Sequence, residues 1–409
     1  MNGFPDVPQA RKSPLTSTSL QVRFFPFEGG GVLFLPGTRR IWALNAASAC
    51  IWCLMDELDD PEELAAAMAD RFSIDEATAR RDVHAVLTIF AQEGLLEGGS
   101  PSDFPEEPDL DPLDSCGPRL MTPASWKVRS FYRTPGRTFE FCSDDAVTGA
   151  QFAEIMAPLA LDPPGAVDTH LAVLQNRGVG CGLDIYLDGR RRLAGVPQDE
   201  LLPHLFALFC RHACESMGEN LLLHAAVLGS EGRMVLFPAE AGGGKTTLAA
   251  VLAAQGFTFF SDELALLEFD QLRVRPLPLP MTIKAGSTPI LERLYPGLSR
   301  RPVYQRSDGK AVRYLVPPAA SLPDNSSPEA MVRAVVFPRY ESGAENHLGS
   351  LTKVEALQRL ALTGSSIRDY HAGDIRTMIA VVERNPCFEL VYGDPLEAVY
   401  LLRKHVFNQ

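Results

Sequence analysis

The chain has 409 residues, is 46% hydrophobic and carries a formal net charge of −13. That length predicts two or three domains with real apolar cores, and the acidic balance excludes a broad nucleic-acid footprint. It contains no apolar run of about eighteen residues to cross a membrane, and residues 1–19 lack the apolar stretch of a signal peptide, so a cytoplasmic protein with reduced thiols is expected.

Residues 1–17 are polar and read as a flexible tail. Leu20–Phe27, Gly31–Leu35 and Arg39–Leu44 read as three short strands, punctuated by Gly29-Gly30-Gly31 and Pro36-Gly37. Asn45 suits the cap of a helix through Asp56, and Pro61 suits the first turn of a second helix through Arg71. A third helix is expected over Asp75–Glu93, with Ala79, Val83, Val86, Leu87 and Phe90 on one face and Gly94 at its close. Cys50-Ile51-Trp52-Cys53 is a CxxC, and Cys210 and Cys214 stand four apart. Both pairs fall in helical segments without the turn glycines of a zinc knuckle, which favours buried thiols over a four-cysteine zinc site.

Three small strands and three helices within 18–98 make a winged-helix-like α+β unit. Leu44-Asn45, Ile51-Trp52-Cys53-Leu54 and Glu93-Gly94-Leu95-Leu96 give it a resemblance to the PqqD family of peptide-recognition domains. The resemblance implies that a precursor-peptide leader adds as a strand to the edge Arg39–Leu44 and lies against the helix Asp75–Glu93. The other readings are DNA binding, which the mixed charges Arg80, Arg81, Asp82 and Glu76 suit poorly, and a purely structural domain.

Residues 99–118 are Pro-rich and acidic and read as an extended linker. Residues 119–218 alternate β-type runs, at Trp126–Tyr132, Arg137–Cys142, His170–Gln175 and Asp184–Leu187, before a helix over Pro197–Met217. Arg190-Arg191-Arg192 reads as a solvated turn.

Residues 219–409 hold the strongest pattern. An apolar strand, Met234–Phe237, runs into Gly242-Gly243-Gly244-Lys245-Thr246-Thr247 and then an apolar helix from Leu248. Strand, glycine loop, Lys-Thr and helix form the context of a P-loop, whose amides, with the helix N-terminus, cradle phosphates. Ala241, Gly242, Gly243, Gly244, Lys245, Thr246 and Thr247 are the candidate nucleotide contacts, and Ala239 stands where the pattern has its first glycine. A second apolar strand delivers Ser261-Asp262-Glu263, two carboxylates at a strand's end.

With His224-Ala225, Arg275-Pro276, Lys284, Val336-Phe337-Pro338-Arg339-Tyr340 and Val391-Tyr392-Gly393, the set resembles the HPr kinase/phosphorylase family, in its HPr-kinase-related branch. The fold class expected is therefore an α/β P-loop kinase core of the HPr kinase C-terminal type, preceded by the small α+β domain. The resemblance implies ATP and Mg²⁺, with Lys245 on the phosphates and Thr246 on the metal. It also implies Asp262 as general base and metal neighbour, Glu263 on the metal, His224 beside the phosphates and Lys284 on the transferred charge. Glu263 departs from the family's aspartate, and Ser307-Asp308-Gly309-Lys310 inverts the Lys-Gly order expected of the branch, so Lys310 receives no role.

Together these readings predict a kinase for a serine hydroxyl of a ribosomally made precursor peptide, with no nucleic-acid or membrane partner and with homo-oligomers open. Two alternatives stand beside it: an ATPase or nucleotidyl transferase using the same loop, and a nucleotide-gated peptide chaperone.

Overall fold

Turn and cap chemistry build the N-terminal domain. The computed structural model describes residues 22–35, 40–96, 126–176, 182–215, 220–240, 242–269, 271–323, 330–363 and 370–407. Strands β1 (Arg23–Phe27), β2 (Gly30–Leu35) and β3 (Arg40–Asn45) pair antiparallel in the order β1-β2-β3. Gly29, at φ 86°, makes the first turn in a conformation that side chains other than glycine's avoid. The middle strand β2 is buried along its length, whereas β3 is an edge of the sheet.

Three capped helices follow. Asn45 accepts from Ser48 N at 2.9 Å to start α1 (Ala46–Leu54). Asp60 caps α2 (Pro61–Phe72), and Asp75 accepts from Thr78 N at 3.0 Å to start α3 (Glu76–Gln92). Each cap satisfies a backbone donor left over at the helix start. Leu33, Ile51, Met55, Leu64, Met68, Val83 and Phe90 form the core. The first strand begins at Arg23, and Leu20, Gln21, Arg39, the tail 1–17 and the linker 99–118 lie outside the described residues.

The described residues divide into two compact units. One holds this domain together with 353–358 and 370–379, and the other holds the remainder.

The second unit opens with β4 (Val128–Thr134), β5 (Arg137–Ser143), α4 (Ala146–Ile155), β6 (Ala160–Leu161), β7 (Thr169–Gln175), β8 (Leu183–Leu187), β9 (Arg190–Val196) and α5 (Gln198–Glu215). The strands form one sheet in the order β6-β4-β5-β7-β8-β9. Helix α4 was not expected, because Thr148 and Gly149 interrupt its apolar pattern. Gly149 is needed there, since a Cβ would meet the Val128 side chain. Arg190–Arg192 begins β9 and is not the solvated turn expected. The turn is Asp188-Gly189, with φ of 48° and 75°, and Arg191 reaches across to Asp184 Oδ2 at 3.1 Å.

Tyr132, Phe139, Phe141, Phe152 and Phe209 fill the space between this sheet and its helices, with Phe152 ring centroids 4.4 Å from Phe141 and 5.7 Å from Tyr132. Phe152→Ala is expected to cost about 3–5 kcal/mol, seen as a lowered denaturant midpoint, because a rigid aromatic cluster cannot close the cavity. The same core continues into Leu222, Leu264, Leu266 and Tyr314. The described residues between 126 and 215 therefore share one core with the strands around the glycine loop.

That region comprises β10 (Asn220–Leu223), β11 (Ala225–Ser230), β12 (Arg233–Pro238), α6 (Lys245–Ala254), β13 (Thr258–Ser261), β14 (Ala265–Glu268), β15 (Val274–Arg275), β16 (Met281–Lys284), α7 (Thr288–Leu291), β17 (Tyr304–Gln305) and β18 (Ala311–Leu315). The chain ends with β19 (Met331–Tyr340), β20 (His347–Ser350), α8 (Lys353–Leu362), α9 (Ala372–Arg384), β21 (Cys387–Tyr392) and α10 (Pro395–Leu402), of which the start of α8 and most of α9 belong to the first unit. The main sheet of the glycine-loop region has the order β13-β11-β12-β19-β21-β20, with β12, β19 and β21 parallel. Strand β11 is antiparallel to both β12 and β13, so β12, β13, β19 and β21 all end at the same edge. That edge is where α/β sheets present their ligand groups.

Cys50, Cys210 and Cys214 are buried and Cys53 is half-buried, none of them in a disulfide, with burial pushing the Cys50 and Cys53 thiols up from their ordinary range. Cys50 sits in the core of the first unit, and Cys210 and Cys214 in a core of the second. No helix among the described residues is long and apolar enough to cross a membrane.

Candidate functional site

The glycine loop is shaped by backbone conformation and by its neighbours on the parallel strands. Gly242 and Gly244 adopt φ of 96° and 87°. Gly243 N donates to Glu240 O at 3.1 Å, Tyr340 N at the end of β19 donates to Gly243 O at 3.0 Å, and the Tyr392 hydroxyl donates to Gly244 O at 2.9 Å. A Cβ on Gly244 would overlap that hydroxyl and come to 2.7 Å from Tyr340 Cβ. Only glycine fits there. Ala239 is buried and is not among the residues with left-handed backbone, so a side chain is tolerated where the motif has its first glycine. Ala241 lies outside the described residues.

The loop opens on a cleft of about 190 Å³ lined by His224, Gly242, Gly244, Lys245, Thr246, Thr247, Glu263 and Lys284, among others. Lys245 and Thr246 begin α6, so the helix N-terminus faces this space. Lys245 is buried and donates to the Asp262 carbonyl at 2.7 Å, which holds its ammonium at the end of β13. Thr247 bonds Ser287 at 2.6 Å, which ties the start of α6 to the segment after β16.

The two carboxylates after β13 differ. Asp262 is 2% exposed and its Oδ1 is buried without a hydrogen-bond partner among the described residues. Burial pushes its carboxyl up to about 6; Lys245 and the Thr246 hydroxyl pull it down, and Glu263 adds to the rise. Glu263 stands in the open cleft, its side chain 44% exposed and 3.6 Å from His224 Nε2. Burial lowers the His224 pKa, with Lys245 acting in the same direction and Glu263 against it. An orphaned buried carboxylate oxygen beside Lys245 and Thr246 is a donor set that fits a magnesium–phosphate group. Among the described residues no three His, Cys, Asp or Glu side chains converge as a metal site. Magnesium held largely by phosphate oxygens and one or two protein ligands needs no such cluster.

The cleft also includes residues that the sequence did not single out: Glu240, Thr282, Ser287 and Arg306, together with Lys310, which had no role. Arg306 and Lys310 flank the hairpin between β17 and β18, where Asp308 accepts from Lys310 Nζ at 2.8 Å and lies 3.3 Å from Arg306 Nε. Their approach is a tertiary effect, and no local spacing announces it.

The other place expected to bind is the open edge of β3. Trp42 Nε1 donates to Glu93 Oε2 at 3.0 Å, and Arg40 pairs with the same oxygen while lying 4.7 Å over the Trp42 ring. The strand edge and the end of α3 are thus held together. Ile89, one turn before Glu93 on the same face of α3, is 54% exposed.

Residues 30–96 match the family described as Coenzyme PQQ synthesis protein D (PqqD). No curated protein matches the chain. Among solved structures, "TbiB1 in Complex with the TbiA(beta) Leader Peptide" is similar at 30% identity, covering 21% of this chain and 98% of that chain, with a TM-score of 0.19. The match covers β2, β3, α1, α2 and α3. The N-terminal domain is therefore similar to the PqqD family over residues 30–96.

Proposed function

We propose that the chain is an ATP-dependent kinase that phosphorylates a hydroxyl, serine by preference, of a ribosomally made precursor peptide whose leader docks on the PqqD domain. The observation that carries the kinase half is Asp262, a buried carboxylate with an unpartnered oxygen beneath a glycine loop that presents Lys245 and Thr246. The glycine-loop amides and Lys245 hold the β- and γ-phosphates, and Thr246 and Asp262 hold Mg²⁺. The bound Mg²⁺ supplies neutralisation of the charge that develops on the phosphate oxygens. Lys284 faces the same cleft and offsets charge on the transferred group.

Burial decides which acid takes the proton. A base must reach the hydroxyl it deprotonates. Glu263 stands in the open cleft beside His224, whereas Asp262 is covered. We assign the proton to Glu263, with His224 orienting it, which reverses the division that the family resemblance implies. The hydroxyl oxygen bonds to the γ-phosphorus, its proton passes to Glu263, and the bond from the γ-phosphorus to the bridging oxygen breaks to release ADP. The test is transfer of labelled γ-phosphate to the precursor peptide. Label on the peptide is expected, whereas release as free phosphate alone would mark an ATPase.

The leader half rests on the PqqD match and on β3 as an edge strand beside α3. An edge strand offers free backbone groups to an extended peptide, and a neighbouring helix offers side-chain contacts. Capture also raises the effective concentration of substrate to about millimolar, so the cleft itself need not bind the peptide tightly. Ile89→Asp is expected to weaken leader binding about tenfold or more by removing an apolar contact. It should leave the melting temperature unchanged, because the side chain is exposed. Fluorescence anisotropy of a labelled leader checks this.

A further inference from the structure

We infer that the phosphate donor is a nucleoside triphosphate whose base stacks on Tyr340, rather than a bare polyphosphate. The inference rests on the kinase reading above. In the main sheet the glycine loop follows β12; Asp262 and Glu263 follow β13 on one side of it, and Tyr340 ends β19 on the other. A phosphate chain whose transferred end meets the acids runs across the loop, and whatever it carries emerges toward β19 and β21.

Tyr340 stands there. Its Cβ lies 2.7 Å from where a side chain on Gly244 would begin, and its backbone N holds Gly243 O at 3.0 Å. The residue is 38% exposed. It is also fixed. Tyr392, fully buried and bonded to Gly244 O, holds its ring near that of Tyr340, with centroids 5.6 Å apart at 61°. A partly exposed aromatic ring held edge-on against a buried one, next to the glycine loop, can stack on a base. Stacking accepts every base, because each has a π-face, so the ring selects for nucleotides over polyphosphate and only weakly among bases.

The experiment is equilibrium binding of Mg-ATP and of Mg-tripolyphosphate to the full chain and to Tyr340→Ala, Tyr340→Leu and Tyr340→Phe. The Ala and Leu variants are expected to lose roughly five- to hundredfold in ATP affinity, the range that base–aromatic stacking carries. Tripolyphosphate affinity should stay within about twofold in all variants, since the bond to Gly243 uses the Tyr340 backbone and the phosphate cradle is unchanged. Tyr340→Phe should keep ATP binding. Retained tripolyphosphate binding also shows that each variant has folded. Equal losses for both ligands would overturn the inference and leave Tyr340 a support of the loop. Unchanged ATP binding in the Ala variant would overturn it as well. If the unmodified chain bound neither ligand, the phosphate-loop reading itself would fall, and this inference with it.

Discussion

Asp262→Asn is expected to reduce phosphate transfer by about a hundredfold or more while the protein folds at least as well as before. The two effects have one cause. Burial raises the Asp262 pKa to about 6 and leaves Oδ1 without a partner. A carboxyl whose pKa is raised by folding favours the folded state in its protonated form. Its stabilising contribution is present at low pH and is lost as pH rises through the range between the unfolded value and about 6. At neutral pH and without metal the ionised group therefore costs stability, and neutral Asn of the same shape removes that cost. Nucleotide binding should fall much less than transfer, because Lys245 and the loop amides remain. Glu263→Gln provides the contrast. It is half-exposed, so stability should not move, while transfer falls through loss of the proton acceptor. Parallel melting curves and rates check both variants. A destabilised Asp262→Asn protein would show that the carboxylate is a structural group.

Gly244→Ala is the second large effect. Alanine at φ 87° costs about 1–2 kcal/mol from backbone conformation alone. Its Cβ would also overlap the Tyr392 hydroxyl, and Tyr392 is fully buried. Overpacking of this kind adds about 1–3 kcal/mol. The expected result is a melting temperature lowered by several degrees together with loss of ATP binding, because the loop can keep its shape only by displacing β21. Gly242→Ala meets open space, so it should show the backbone cost alone. If the two variants behaved alike, packing against Tyr392 would not be what fixes the loop.

How much of this was legible in the sequence varied with the range of the interactions. The helices of the N-terminal domain announce themselves through local signals: Asn45, Asp60 and Asp75 each sit one residue before a helix and cap it. The glycine loop is legible for the same reason, since strand, Gly242-Gly243-Gly244, Lys245 and helix are contiguous. Helix α4 was missed because Gly149, which weakens the helical pattern, answers to Val128 on a neighbouring strand. Arg190–Arg192 was misread because three charges suggest solvent, whereas Arg191 spends its charge on Asp184 within the sheet. In the cleft, His224, Lys245, Thr246, Glu263 and Lys284 do come together, but Arg306 and Lys310 arrive by a hairpin some forty residues downstream of Asp262, and β19 brings Tyr340 to the loop. Burial, which separates Asp262 from Glu263, cannot be read from two adjacent acids.

The most direct measurement is the intact mass of the precursor peptide after incubation with the full chain and Mg-ATP, with and without its leader. The account predicts a gain of one phosphate on a side-chain hydroxyl, absent with Asp262→Asn and reduced when the leader is removed or Ile89 is replaced by Asp. A peptide that binds the chain yet leaves with its mass unchanged would contradict the kinase reading.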